Sequence, residues 1–267
     1  MAATVADVVR NPSESQEAAG SKKALLCVIG LYVLVMSGCI YALLPTSDQG
    51  MFADPAVTLA SQGYLGSRIS DPDAATSPGI LQHTYYMPPL HFVLLAGWFK
   101  IFGSGLISMR WLSAIFGAGL LAAWGFLFRG SYGRASIWFV LALALDSNFV
   151  LAGASGRMDM ECAVFGFGAL AAYLALRGSL FQTAVLVSSV LISLSGLSHP
   201  NGVLYAIDLL VLTLWLDRKR WSRRLGLLAM LGTTLSQRRE ISRLQRTGSP
   251  QEKSRPPVAS QPPAAEG

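Results

Sequence analysis

Between residues 24 and 216 ionisable side chains are few, and several of those suited to chemistry fall in four short polar segments. Asp48 and Asp54 lie in the first; His83, Tyr85 and Tyr86 in the second, with Lys100 shortly after; Arg157 and Asp159 in the third; His199 and Asn201 in the fourth. Aspartate and histidine are proton-transfer groups, whereas lysine and arginine hold anions, arginine through a planar fork that matches phosphate oxygens. Residues so far apart in sequence form a site only if the elements between them return to one face.

Those elements are hydrophobic. Of the 267 residues 52% are hydrophobic and 13% charged, and mean hydropathy is +0.45. A soluble domain carries roughly 25% charge, so a soluble class is excluded and several membrane spans are expected. The run 24–44 holds 21 residues without a charge, enough to cross a hydrocarbon core of about 30 Å. Lys22 and Lys23 before it place its start in the cytoplasm, and its length exceeds the apolar region of a cleaved signal peptide, so it reads as a permanent anchor.

A polar stretch follows, with Asp48, Asp54, Asp71 and Asp73 against Arg68, and 45–105 reads as a large outer loop. Within it a helix is expected over 51–62. Pro88 and Pro89 open the apolar run 90–102, whose 13 residues are too short to span. That run is expected to lie in the membrane interface, with Lys100 reaching toward water.

Further spans are expected at 106–128, 135–151, 160–176, 180–197 and 203–216. If 90–102 stays in the interface, Arg129, Arg134, Arg177 and the basic run after residue 216 all fall inside, as the positive-inside rule prefers. The expected fold is thus an all-α polytopic membrane protein with about six transmembrane helices and both termini cytoplasmic. The four polar segments then share the outer face, and that shared side is the argument for a site. Trp98, Trp111 and Trp138 near run ends read first as interfacial belt residues.

Residues 1–23 form a short cytoplasmic tail, 24–216 the membrane domain, and 217–267 a basic tail of disordered composition, with eleven basic and four acidic groups. This last segment accounts for the formal net charge of +6, since the rest of the chain nearly balances. No motif for reading nucleic acid accompanies the charge, so membrane lipids rather than nucleic acid are the expected partner. The apolar stretch 225–235 is too short to cross, so the tail is either a genuine extension or the start of a seventh span in a longer chain. Cys27, Cys39 and Cys162 stand in apolar runs without metal-binding spacing and read as packing residues.

Each polar residue also has a structural reading. Asp48 could cap the helix expected after it, and Asp159 the span that it precedes. Arg157 could be a snorkelling interface arginine, and His83 and His199 lone interfacial groups. Residues 199–202, His-Pro-Asn-Gly, suit a tight turn. Asp146 stands near a span end, while Asp208 lies inside an apolar run, where it could pair with another helix.

The order of motifs adds a resemblance. Asp48-Gln49-Gly50-Met51-Phe52-Ala53, Tyr86-Met87-Pro88-Pro89-Leu90 leading into Trp98-Phe99-Lys100-Ile101-Phe102-Gly103, Met109-Arg110-Trp111-Leu112-Ser113 and Arg157-Met158-Asp159 follow the first span in turn. The set resembles the GT-C membrane glycosyltransferases, specifically the protein mannosyltransferase and aminoarabinose transferase group, over residues 24–216. The resemblance implies inverting transfer of a sugar from a polyprenyl phosphate to an acceptor lipid, glycan or protein outside the cytoplasm; of the two host membranes open to such a chain, a bacterial plasma membrane is expected over an endoplasmic reticulum. It implies Asp48 as general base and Asp159 as a second catalytic aspartate that orients the acceptor, positions Arg157 or helps hold a divalent metal. Arg157 and Lys100 would steady the leaving phosphate, with His83, Tyr86 and Asp54 as further substrate contacts.

Two departures stand out: Gln49 occupies a position that is often acidic, and Phe52 one that is often tyrosine. Members of the group also run well past this length. The competing expectation is a non-catalytic multi-pass protein, an accessory or transporter-like subunit.

Overall fold

A computed structural model describes residues 12–69, 83, 87–133, 135–218 and 220, with the side chains of 12–19, 21 and 129–132 excepted. Every regular element among them is helical: α1 (Pro12–Ala42), α2 (Ser47–Gln62), α3 (Leu90–Phe102), α4 (Leu106–Tyr132), α5 (Ala135–Leu145), α6 (Ser147–Ala154), α7 (Asp159–Leu176), α8 (Phe181–Ser198) and α9 (Gly202–Asp217). Four of these are long and apolar enough to cross a membrane, through the stretches Lys22–Ala42, Leu106–Phe128, Asp159–Leu176 and Phe181–Ser198. The chain is an all-α, multi-pass membrane protein.

The expected span 135–151 needs correction. It is two helices, α5 and α6, bent by 59° at Asp146. Asp146 is extended and its carboxylate accepts the Phe149 backbone N–H at 2.9 Å, so it caps α6 and ends the helix before it. Counted together, α5 and α6 make a fifth candidate span. The sixth expected span, α9, has 16 residues, about 24 Å of helix, and is short of the usual crossing length.

The bundle core follows from helical spacing. Val28, Tyr32, Met36 and Ile40 recur every four residues along α1 and are all buried, while Leu26, Leu34 and Tyr41 face outward. Tyr32 packs against Gly117 and Gly153, whose missing side chains let three helices close on its ring. Trp124 of α4 stacks on Phe167 of α7 with centroids 3.7 Å apart. Helices α7 and α8 are joined by hydroxyls: Ser188 Oγ donates to the Ala169 carbonyl at 2.9 Å, and Ser195 Oγ to that of Cys162 at 2.8 Å. Asp208 is exposed on α9 rather than turned toward another helix.

Helices α2 and α3 form a separate layer over one end of the bundle. Phe52, Ala56, Phe92, Leu95, Ala96 and Phe99 meet Met109, Leu112 and Met158 in a second core. The α3–α4 corner is closed by Trp98, whose indole N–H donates to the Ser108 carbonyl at 2.9 Å, a specific contact beyond a belt role. At the other end of α7, Asp217 accepts hydrogen bonds from Tyr173 Oη at 2.8 Å and Arg177 Nε at 2.6 Å. Burial pushes the Asp217 carboxyl up, but the bonds from Arg177 and Tyr173 outweigh it and hold the group below the usual carboxylate range.

Candidate functional site

Asp48 and Arg157 stand 109 residues apart and meet at the end of the bundle under α2, Nη1 to Oδ2 at 3.4 Å. Arg157 Nε lies 3.1 Å from Asp159 Oδ2 without a well-aligned N–H, so this contact is an ion pair rather than a directed hydrogen bond. The guanidinium also sits 5.8 Å from the centroid of the Phe52 ring, a cation–π distance. One cation is thus held by two carboxylates and an aromatic face. Side-chain exposures of 39% for Arg157, 50% for Asp48 and 37% for Asp159 leave all three open to solvent.

Local sequence explains the placement. Thr46 is extended and precedes α2, so Asp48 falls in the first turn of that helix rather than at its cap. Its neighbour Gln49 is buried and has three partners: Oε1 accepts from the Thr46 backbone at 3.1 Å and from Arg110 Nη2 at 3.1 Å, while Nε2 donates to the Ser155 carbonyl at 2.7 Å. Ser155 belongs to the turn that delivers Arg157. An amide, with a donor and acceptors on one head, satisfies this junction; a carboxylate could not donate to Ser155. The departure at residue 49 therefore has a structural cause.

Gly156 completes the turn with φ +69°, and a Cβ there would come 2.8 Å from Met109 Cγ. Gly156→Ala is expected to cost about 1–3 kcal/mol through the left-handed backbone and this clash. A lowered thermal midpoint of the purified protein checks it; an unchanged midpoint would contradict the packing.

Asp159 likewise lies just inside its helix, after Met158, and its other oxygen faces His199 Nε2 at 3.9 Å. His199 Nδ1 accepts the Asn201 backbone N–H at 3.0 Å, so the neutral ring carries its proton on Nε2, toward Asp159. Burial lowers the His199 pKa below 6.5; Arg157 and His91 lower it further, and Asp159 opposes them. The unfolded chain then takes the proton first as pH falls, so His199 contributes stability that is present above about pH 6.5 and lost below it. The chain has only three histidines, so nitrogen NMR of a histidine-labelled sample can follow each ring. His199 is expected to be neutral at pH 7, protonated on Nε2, and to titrate below an unperturbed histidine.

Beneath Phe52 lies a pair that reading the sequence missed. His91 Nδ1 of α3 is 3.0 Å from Glu161 Oε1 of α7, with side chains 2% and 1% exposed. The imidazole packs edge-on to Phe52, at 6.3 Å between centroids. His91 Nε2 and Glu161 Oε2 have no protein partner among the described residues. An acid two positions beyond Asp159 falls about 200° round α7, facing inward; a second acid inside an apolar run was the available signal.

The remaining sequence candidates lie apart. Asp54 uses Oδ2 to accept from Ser67 Oγ at 2.9 Å and from the backbone of Arg68 and Ile69, so it ties down the loop after α2. Lys100 is exposed at the far end of α3, about 13 Å along the helix from His91. His83 is exposed, and Tyr86 lies outside the described residues. As to a metal, no group of three or more His, Cys, Asp or Glu residues arranged to bind one occurs among the described residues. Asp48 and Asp159 are bridged by Arg157 instead.

Two clefts run along the helical layer. One, of about 580 Å³, lies between α1, α3 and α4 and is walled by Tyr41, Trp98, Phe102, Trp111 and Ile115. The other, of about 360 Å³, extends between α2 and α3 and shares Ser104 and Gly105 with the first. Neither is lined by Arg157 or its carboxylates. Comparison of the chain with protein-family models, with characterised proteins and with solved structures finds no match.

Proposed function

We propose that this chain is a glycosyltransferase that moves a sugar from a polyprenyl phosphate to an acceptor on the outer side of a membrane, most simply a bacterial plasma membrane. The observation that carries the reading is the meeting of Asp48 with Arg157 and Asp159, which come from two distant segments, in the order and with the residue types of the motifs that resemble the GT-C group. Asp48 takes the proton of the acceptor hydroxyl or amine. The acceptor's lone pair forms the new bond at the anomeric carbon as the bond to the phosphate oxygen breaks, inverting the centre, and Arg157 steadies the phosphate that leaves. Asp159 holds Arg157 in place. Lys100 is too far along α3 to share this role.

Sidedness supports the outer placement. Arg177 and Arg220 gather around Asp217 at the opposite end of α7 from Asp159, and basic residues favour the cytoplasmic side. Both termini are then cytoplasmic.

The test is transfer from radiolabelled polyprenyl phosphate sugars in membranes holding either the wild-type chain or Asp48→Asn at matched expression. Loss only in the variant supports the enzyme. Absence of transfer from both favours the second reading, a non-catalytic accessory protein, which the engagement of both carboxylates by Arg157 also fits.

A further inference from the structure

Arg157 is shared between two carboxylates, one on Nη1 and one on Nε. Asp48 of α2 and Asp159 of α7 contact its guanidinium at 3.4 and 3.1 Å, Phe52 covers one face, and His199 stands behind Asp159 from the α8–α9 turn. With His199 neutral the group carries one net negative charge. The Asp48 contact is the longer of the two and the more exposed. Asp159 approaches from two residues along the same chain and is backed by His199, whereas Asp48 reaches across from another helix.

We infer that the phosphate of a prenyl phosphate ligand displaces Asp48 from Arg157, so that the phosphate-bearing ligand binds first and the base is freed by its arrival. This inference rests on the donor reading above and adds an order of binding to it. A guanidinium that turns its outer edge to phosphate oxygens can keep Asp159 but not both carboxylates. Until then Asp48 is neutralised by the arginine; afterwards its oxygen is open to an acceptor proton.

The test is equilibrium binding of a short-chain prenyl monophosphate, with inorganic phosphate as a second probe, to the full chain in nanodiscs at low salt. Four forms are compared: wild type, Asp48→Asn, Arg157→Gln and the double variant, each checked for helical content and monodispersity. Asp48→Asn is expected to bind the prenyl phosphate about two- to fivefold more tightly, the range that half-exposed ion pairs supply, with no such gain in the Arg157→Gln background. Arg157→Gln alone is expected to bind about tenfold more weakly. Unchanged or weaker binding by Asp48→Asn overturns the inference, as does an equal gain in both backgrounds, which would mark a diffuse field effect. A gain for inorganic phosphate alone overturns the lipid-borne ligand. Failure of every form to bind prenyl phosphate defeats the donor reading itself, whereas binding that depends on Arg157 but not on Asp48 defeats only the order.

Discussion

Asp48→Asn is expected to reduce sugar transfer by about 10²- to 10⁴-fold while leaving the fold intact. Asparagine keeps the shape of the side chain and can still accept from Arg157, but it cannot take a proton from the acceptor. The structural cost is small, because the Asp48 side chain is 50% exposed and its contact with Arg157 is a solvent-screened pair of at most about 1 kcal/mol. Initial transfer rates and unfolding midpoints measured on the same preparations separate the two effects. If the variant kept a tenth or more of wild-type transfer, Asp48 would not be the base.

The second large effect is expected at Arg110, and it is one of stability. Arg110 is 1% exposed and pairs with no carboxylate among the described residues. Its guanidinium donates to the Ile40 carbonyl at 2.7 Å, to those of Leu43 at 2.9 Å and Leu44 at 3.2 Å, and to Gln49 Oε1 at 3.1 Å. These carbonyls lie in the last turn of α1 and the two residues after it, where helical hydrogen bonding stops and the helix dipole is negative, so one forked cation satisfies them and offsets the dipole. Arg110→Ala leaves the carbonyls without donors and opens a cavity, with an expected loss of about 3–5 kcal/mol. Arg110→Lys retains charge but not the fork and is expected to recover only part of that loss. Denaturant or thermal unfolding in a fixed detergent ranks the three forms. Equal stability of Lys and Arg at this position would refute the role of the fork. Transfer is expected to fall as well, since Gln49 links Arg110 to the first turn of α2, which carries Asp48.

The spans were legible because long apolar runs have few solutions in a bilayer. The runs 106–128, 160–176 and 180–197 reappear as α4, α7 and α8 within a few residues at each end, and 90–102 as α3. The bend at Asp146 was not legible, since a single acid near a run end does not announce that its side chain will cap the next turn. In the site, alternation of the spans was enough to bring Asp48, Arg157 and Asp159 to one end. Asp54 shares a helix with Asp48 but lies six residues on, about 120° away round its axis, and so turns to a different partner. Lys100 is on the right helix at the wrong end. His91 and Glu161 escaped notice because each lies within an apolar run, and only the tertiary fold brings the two side chains together. Gln49 read as a departure from a pattern until its three partners showed what an amide does there.

The serine bonds between α7 and α8 bear on how the site can be reached. Ser188 and Ser195 are one heptad apart and their acceptors, Ala169 and Cys162, are one heptad apart in the opposite sense, so both bonds belong to a single register of two antiparallel helices. Sliding or rolling either helix by one turn breaks both at once. The floor of the site, with Asp159 and His199 at the ends of these two helices, is therefore a fixed reference. Because Arg157 and its two carboxylates are open to solvent, a ligand can reach them without disturbing that register.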